Sequence, residues 1–153
     1  ARNDQPLKFW LSNTEEMNKT IFSSLSWAGA LKDWTGPAEG EHPSAYILIL
    51  GDTEICNQFG VDYGIAAQSI LLGATEIGLG GCMIGSINRE QFRFDLELED
   101  RFQILLAIAL GKPTEDVVIE LIPADGSTTY YRDDQDRHYV PKRKLEDLIL
   151  HDV

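Results

Sequence analysis

The chain has 153 residues, of which 43% are hydrophobic and 25% are charged, and its formal net charge is −12. This length and composition are those of one globular domain, residues 1–153, that can bury a core. The charge argues against nucleic-acid binding, because nucleic acids are polyanions. No apolar run reaches the ~18 residues of a membrane helix. The two cysteines have no metal-ligand spacing, so we expect a reducing, cytoplasmic compartment.

The N-terminal third predicts a strand, a helix and a loop, followed by a buried strand. Residues Leu7–Leu11 predict the first strand, and capping side chains before Glu15 predict a helix over Glu15–Leu31. The stretch Trp34–Pro43 contains two glycines and two prolines and predicts an exposed loop. Ala45–Leu50 is almost entirely apolar, which indicates a central strand covered on both faces.

The most strongly predicted helix covers Asp62–Ile77. Apolar residues surround it almost completely, which is typical of a central helix. Its small residues would allow close approach by neighbouring helices or by a second subunit. We expect the helix to end at Gly78, where a left-handed backbone needs no Cβ.

The C-terminal half predicts fewer regular elements. Asn88–Phe94 predicts a short helix that begins with a capping side chain, and Phe102–Leu110 predicts a second buried strand. Val117–Leu121 could pair with that strand or extend from it. The remainder is polar until Leu145–Leu150, which predicts a terminal helix. The mixture predicts an α+β fold, because strands and helices do not alternate regularly.

The segment Gly78–Ser86 carries four glycines in nine residues and is the first candidate site. Such a segment offers backbone N–H and C=O groups to the face or edge of a planar ligand. The alternative is a tight connection between a helix and a strand. One glycine would suffice to cap the helix, which favours the binding interpretation.

Two further segments carry groups that bind ligands. Asn3 and Gln5 precede the first strand, and their amides can both donate to and accept from a heterocycle; turn formation explains these residues equally well. Lys142, Arg143 and Lys144 form a basic cluster, which is either a solvated turn or a subsite for an anion such as phosphate.

Catalytic side chains are not evident in the sequence. The three histidines are scattered, and no nucleophile elbow, phosphate-binding loop ending in Lys-Ser/Thr, or His/Glu metal pair occurs. If the protein is an enzyme, we expect a bound cofactor to carry its chemistry, with no catalytic side chain and no metal.

Several segments together resemble the nitroreductase family of FMN-dependent oxidoreductases. They occur in the family's order along the chain and are the Asn3-x-Gln5-Pro6 segment, Asp62–Ser69, Gly78–Ser86, Ala109–Pro113, Tyr130–Asp133 and His138–Arg143. The family's N-terminal helix with an Arg-Arg-Ser-x-Arg motif is not found, so we expect this chain to lack that segment.

The resemblance implies an α+β fold around a central antiparallel sheet packed by helices, and a homodimer with FMN in two interfacial clefts. It implies that Asn3 and Gln5 meet the polar edge or ribityl chain of the flavin. Met83, Ile84, Gly85 and Ser86 would lie along the isoalloxazine, with a backbone N–H near Gly85 or Ser86 facing N5. Lys142 and Lys144 would meet the phosphate, together with Arg143 if the register allows.

The implied function is electron transfer from NAD(P)H to a nitroaromatic, a quinone or a similar small acceptor by a ping-pong flavin mechanism. Residues 27–43 are the expected lid, which would select the acceptor. The alternative is a catalytically silent protein on the same scaffold that binds a flavin or another small ligand. Absorbance at the flavin bands and its loss on addition of NAD(P)H would distinguish the two.

Overall fold

The computed structural model describes residues 3–32 and 34–151, so Asp33 of the expected lid lies outside the described residues. The described residues separate into two compact units. The first unit comprises residues 3–27 and 36–113, and the second unit comprises residues 28–32, 34–35 and 114–151. That residues 1–153 form one domain stays a prediction.

The first unit is built on a four-stranded antiparallel sheet. Its inner strands are β2 (Ala45–Asp52) and β4 (Phe102–Gly111), and its edge strands are β1 (Leu7–Ser12) and β3 (Gly80–Ile84), in the order β1-β2-β4-β3. Each pair is antiparallel. The predicted strands at positions 7–11, 45–50 and 102–110 are confirmed, and the structure extends each of them by one or two residues.

Helices cover both faces of this sheet. On one face, Ile21 of α1 (Glu15–Ser23) and Phe92 of α3 (Arg89–Asp95) join the larger buried cluster. On the other face, Ala67 of α2 (Asp62–Glu76) packs with Ile49 and Ile108. Alternate residues of β2 therefore point into two different hydrophobic clusters, which confirms that this strand is covered on both sides.

The predicted helix over Glu15–Leu31 is too long, since α1 ends at Ser23. Beyond it, Leu25 forms an antiparallel bridge with Ile87, and Ala28 has a positive φ of 30°. The apolar residues after Ser23 continue the helical pattern in sequence, but pairing with a distant segment determines their conformation.

The predicted central position of the helix over Asp62–Ile77 is wrong for a single copy of the chain. Only Ala67 and Ala74 of α2 are buried, whereas Ile65, Leu72 and Ile77 expose 59%, 61% and 72% of their surface. One face of α2 contacts the sheet, and the opposite face, on which Ile65 and Leu72 lie with Ser69 and Glu76, is exposed. The helix does end as predicted, with Gly78 at a φ of 77°.

The Gly-rich segment is largely a strand, whereas a binding loop was the favoured prediction. Five of its nine residues form β3, at the edge of the sheet beside β4. The segment does connect α2 to a strand, as the alternative interpretation stated. Its outer edge is not sealed inside the unit, because Gly81, Cys82 and Met83 are exposed.

The second unit contains a small sheet that the sequence did not predict in full. Its strands are β5 (Val117–Leu121), β6 (Tyr131–Arg132) and β7 (His138–Lys142), in the order β5-β7-β6. The pairing of β5 with β7 is parallel, so β5 does not pair with or extend β4. The predicted terminal helix over Leu145–Leu150 is wrong, since only a 3₁₀ turn forms there, over Glu146–Leu148.

Among the described residues, no helix combines the length and the apolar composition required to cross a bilayer.

Candidate functional site

Two of the predicted binding segments lie at the same end of the four-stranded sheet. The pairing of Leu7 with Gly51 places the start of β1 beside the end of β2, and the antiparallel pairing with β4 directs the end of β3 to that same end. Because β1 and β3 are opposite edges, three strand spacings of about 4.8 Å separate them. Through Ala107 and Leu48, the last residue of β3 is level with Trp10, inside β1. A ligand that contacts both segments must therefore span at least roughly 14 Å.

Three of the four glycines in Gly78–Ser86 have explanations within the chain. Gly78 has the left-handed backbone of a helix end. A Cβ on Gly81 would lie 2.6 Å from Leu71 Cδ2, and one on Gly80 would lie 3.2 Å from Pro113 Cβ. Gly85 differs, because its φ is not left-handed and a Cβ would meet nothing within 4 Å. The open space beside Gly85 is therefore available to a molecule outside the chain.

Hydrogen bonds from two directions hold the backbone beside this space. The Ser86 carbonyl accepts from the Ser26 N–H at 2.9 Å, and the Asn88 N–H donates to the Ser24 carbonyl at 2.9 Å. On the other side, Arg89 Nη2 lies 3.5 Å from the Gly85 carbonyl oxygen. The Gly85–Ser86 backbone is thus fixed before any ligand binds.

The two residues before Gly85 have different accessibility. The Met83 side chain is partly exposed, at 39%, and can contact a ligand. The Ile84 side chain is buried in the larger hydrophobic cluster, so only its backbone can take the predicted role along a planar ring. That both residues contact a flavin stays a prediction.

Asn3 and Gln5 form an exposed amide pair before β1. Gln5 Nε2 donates to Asn3 Oδ1 at 3.0 Å, which leaves the Asn3 amide N–H₂ as a donor and Gln5 Oε1 as an acceptor for a ligand. Both residues have positive φ, 63° and 53°, an uncommon conformation that costs free energy in non-glycine residues. The buried Pro6, whose carbonyl accepts from the Asp52 N–H at 2.8 Å, anchors this strained turn.

The basic cluster belongs to the second unit. Lys142 is the last residue of β7, and its carbonyl accepts from the Ile122 N–H at 3.0 Å. Lys144 Nζ lies 3.4 Å from a Glu146 carboxylate oxygen. In the described part of the chain, neither Lys142 nor Arg143 forms an ion pair, so these two cations are better placed to bind an anion than Lys144.

The resolved pKa shifts belong to groups elsewhere in the chain. Burial raises the pKa of the Tyr46 phenol, which lies in the core, and a hydrogen bond to Glu54 raises the pKa of Arg101. In the second unit, the Arg137 backbone N–H holds the pKa of Asp133 below its usual value. The groups around Gly85 are backbone amides, which can orient a ligand by hydrogen bonds.

Sequence reasoning missed the residues that fix the Gly85–Ser86 backbone. Ser24 and Ser26 fell inside the overlong predicted helix, and Arg89 counted only as the first residue of a short helix. The adjacent capping residue was recognisable, since the Gln91 N–H donates to Asn88 Oδ1 at 3.2 Å as predicted. No local pattern indicates that Arg89 reaches back to Gly85.

Comparison with known proteins finds a family match over part of the chain. Residues 56–112, which include α2, β3, α3 and β4, match the Nitroreductase family. The resemblance predicted from the sequence is thereby confirmed. No curated protein sequence matches the chain.

Several solved structures share the fold. A Parabacteroides distasonis protein classed as an NADH dehydrogenase/NAD(P)H nitroreductase is 25% identical, over 76% of this chain and 67% of that chain, with a TM-score of 0.60. An FMN-dependent nitroreductase from Clostridium difficile is 20% identical, over 72% and 65%, with a TM-score of 0.54. A Desulfovibrio desulfuricans protein classed as a nitroreductase and crystallised with FMN is 21% identical, over 100% and 76%, with a TM-score of 0.68.

These likenesses confirm a nitroreductase-like α+β fold with an antiparallel sheet and helices. The chain spans about two-thirds of the length of the Parabacteroides and Clostridium proteins, 67% and 65%.

Proposed function

We propose that this chain, whose residues 56–112 match the nitroreductase family, is an FMN-dependent oxidoreductase. It would transfer electrons from NADH or NADPH to a nitroaromatic, a quinone or a similar small acceptor. The proposal combines the family match with the geometry at the end of the four-stranded sheet. FMN-dependent and FMN-bound neighbours with the same fold support it.

The observation that carries the proposal is the open space beside Gly85. A Cβ there would meet nothing, while the backbone next to it is held by Ser26 and Arg89. A rigid, side-chain-free surface suits the edge of a planar ring, because the ring can approach the peptide groups closely. The exposed Met83 adds apolar contact area beside it.

The amide pair fits the polar edge of the same ligand. Asn3 and Gln5 present one donor and one acceptor at the same end of the sheet as Gly85, across the width of the sheet. FMN is an elongated molecule, and its ring together with its ribityl chain could span the distance between the two segments. The strained backbone at these two residues is consistent with a binding role.

Lys142 and Arg143 are the proposed phosphate ligands, with Lys144 nearby. Arginine and lysine side chains bind phosphate through charge-assisted hydrogen bonds. Lys144 already pairs with Glu146, and we therefore expect it to contribute less than Lys142.

A second copy of the chain is the proposed cover for α2. Ile65, Leu72 and Ile77 form an exposed apolar surface of the kind that marks interfaces between proteins. Gly64 and Gly73 on this helix also face open space, although glycine inside a helix costs about 1 kcal/mol relative to alanine. Both features are consistent with the close helix packing of a homodimer.

In the proposed mechanism the side chains and backbone of this protein bind and orient. When bound, FMN would supply the redox chemistry between NAD(P)H and the acceptor. The Gly85–Ser86 backbone offers a fixed hydrogen-bond donor to the ring, and Asn3 and Gln5 select its polar edge. Lys142 and Arg143 neutralise the phosphate.

Titration of the purified chain with FMN tests the proposal. We expect quenching of flavin fluorescence, loss of the flavin absorbance bands on anaerobic addition of NADH or NADPH, and their return on addition of a nitroaromatic or a quinone. Lys142→Ala should weaken the binding of FMN and leave riboflavin, which has no phosphate, unaffected. Bound flavin that neither nucleotide reduces would instead support the silent binding protein, and no flavin binding at all would refute both.

A further inference from the structure

Arg89 connects the end of β3 to β4. Its Nε donates to the Ile104 carbonyl at 3.0 Å, and its Nη2 lies 3.5 Å from the Gly85 carbonyl oxygen. The two acceptors lie on strands that no longer pair at this level, because the ladder between β3 and β4 ends at Ile84 and Ala107. The guanidinium therefore connects the backbone just after β3 to the backbone of β4, beyond the last paired residues.

A bulge in β4 marks the same level. Consecutive residues Ile49 and Leu50 of β2 pair with Leu106 and Ile104, so Leu105 is an extra residue in β4. Bulges interrupt the regular hydrogen-bonding pattern and are frequent beside functional sites. Arg89 binds the carbonyl of Ile104, directly before the extra residue.

The contact with the Gly85 carbonyl also determines where the next N–H points. In a trans peptide the C=O of one residue and the N–H of the next point in opposite directions. With the Gly85 carbonyl directed at Arg89, the Ser86 N–H is directed away from Arg89. In the described part of the chain this N–H donates to no backbone carbonyl. Glycine restricts its own backbone least of all residues, so the peptide needs this external restraint.

We infer that Arg89 is a positioning residue for the flavin ring. It holds the Gly85–Ser86 peptide in one orientation, so that the Ser86 N–H is available to an acceptor atom of the ring. The inference rests on the proposed function, and it assigns to Arg89 no contact with the flavin. Arg89 reaches the two carbonyls through two different nitrogens, Nε and Nη2, whereas a lysine side chain carries all its donors on one nitrogen.

Arg93 provides a matched control on the same helix. It too binds backbone carbonyls, with Nη1 2.8 Å from the Glu99 oxygen and Nη2 2.6 Å from the Phe102 oxygen. None of the carbonyls that it binds belongs to Gly85 or Ser86. Arg89→Gln and Arg93→Gln thus each remove a guanidinium that ties α3 to the neighbouring backbone, and only the first releases the Gly85 carbonyl.

The test measures the dissociation constants of FMN and riboflavin by flavin fluorescence, and thermal unfolding of the flavin-free proteins. We expect Arg89→Gln to weaken both flavins by the same factor, about tenfold or more, and Arg89→Lys to have an intermediate effect. Arg93→Gln should lower thermal stability and leave both dissociation constants unchanged. Amide hydrogen exchange at Ser86 in the flavin-free protein should be faster in Arg89→Gln than in Arg93→Gln.

Wild-type affinity for both flavins in Arg89→Gln would overturn the inference and leave the proposed function intact. Equal losses in Arg89→Gln and Arg93→Gln would overturn it as well, since they would reveal a general structural effect. If the wild-type chain binds neither flavin, the proposed function fails and the inference fails with it. If Arg89→Gln does not fold, Arg89→Lys decides between these outcomes.

Discussion

Substitution of Gly85 by alanine should affect stability and FMN affinity differently. Because its Cβ position is empty and its φ is ordinary, Gly85→Ala should leave the free energy of unfolding unchanged or raise it by up to about 1 kcal/mol. The added methyl group would occupy the proposed ligand space, so FMN affinity should fall about tenfold or more. Urea unfolding and fluorescence titration measure the two quantities.

Gly81→Ala is the contrasting control in the same segment. Its Cβ would lie 2.6 Å from Leu71 Cδ2 and 2.7 Å from the Ala109 carbonyl oxygen, so this variant should lose about 1–3 kcal/mol of stability. If Gly85→Ala were as destabilised as Gly81→Ala, the space beside Gly85 would not be empty. If Gly85→Ala bound FMN normally, the flavin would not lie there.

The buried phenol of Tyr46 should make the stability of the fold depend on pH. Its side chain is 1% exposed, its hydroxyl has no partner among the described residues, and burial raises its pKa. Above about pH 10 the phenol ionises in the unfolded chain and stays protonated in the folded chain. Stability should therefore fall as pH rises above this value, by about 1.4 kcal/mol per pH unit until the folded pKa is reached.

Tyr46→Phe isolates this effect from the other titrating groups. Between pH 8 and pH 11 the wild-type chain should lose about 1.4 kcal/mol more than Tyr46→Phe, as measured by urea unfolding. At pH 8 the variant should be at least as stable as the wild type, because it removes a buried hydroxyl without a partner. If both proteins lost the same free energy of unfolding between pH 8 and pH 11, the Tyr46 phenol would ionise as readily in the folded chain as in the unfolded chain.

The conformation or role of a single residue was predictable from the sequence where neighbouring residues determine it. The left-handed Gly78 and the capping Asn88 follow from backbone conformation and from one side-chain hydrogen bond, so neighbouring residues suffice to recognise them. The role of Arg89 depends on Ile104, fifteen residues away. No pattern in the sequence between them indicates this contact.

At the scale of elements, the sequence predicted correctly those strands and helices that have a clear apolar pattern. It predicted the residues at which they begin and end less accurately. The apolar runs of β2 and β4 identified them correctly. The end of α1 was missed because Leu25 pairs with Ile87, a contact that helical periodicity cannot reveal. β7 was missed because the residues between Leu121 and Leu145 were interpreted as a polar remainder. β7 also contains Pro141, which is unusual inside a strand and lies beyond the residues that pair with β6.

We expect Arg132 to stabilise the part of the expected lid that lies in the second unit. Its guanidinium lies 4.8 Å from the Trp34 ring and also pairs with Glu115 and Asp136. The Ala30 N–H donates to the Tyr130 hydroxyl at 3.3 Å. Arg132→Gln should therefore increase amide hydrogen exchange in residues 28–32 and 34–35 about tenfold.

Hydrogen-exchange mass spectrometry tests this expectation. Arg137→Gln is the control, because Arg137 pairs with Asp133 in the adjacent turn and has no ring contact with Trp34. Faster exchange in both variants would indicate a general loosening of the small sheet. Unchanged exchange in Arg132→Gln would mean that Trp34 is held by other contacts.

At the scale of the whole molecule, the exposed face of α2 leads us to expect a dimer. Leu72→Glu would place a charge among apolar residues of the proposed interface, in a chain whose net charge is already −12. We expect the wild type to be a dimer and this variant a monomer by size-exclusion chromatography with light scattering. Phe94→Glu, at a 79% exposed position on α3, should remain dimeric.

A monomeric wild type at micromolar concentration would contradict the proposed homodimer. Dissociation by both variants would place the interface on a different surface. The sequence predicted the apolar surface of this helix correctly, although a single copy of the chain does not bury it. The α+β fold class predicted from the sequence was also correct. The order of the strands was not predictable, because it depends on contacts between distant segments that local patterns do not encode.

The order of strands in the sheet also constrains how the protein is made. Among the described residues, β1 pairs only with β2, while β2 and β3 each pair with β4, whose last residue is Gly111. On a translating ribosome, β2 must wait for more than fifty further residues before its second neighbour emerges. Such late pairing slows folding and leaves apolar strands uncovered. We therefore expect the apolar surfaces of β2 to stay exposed until β4 has been synthesised.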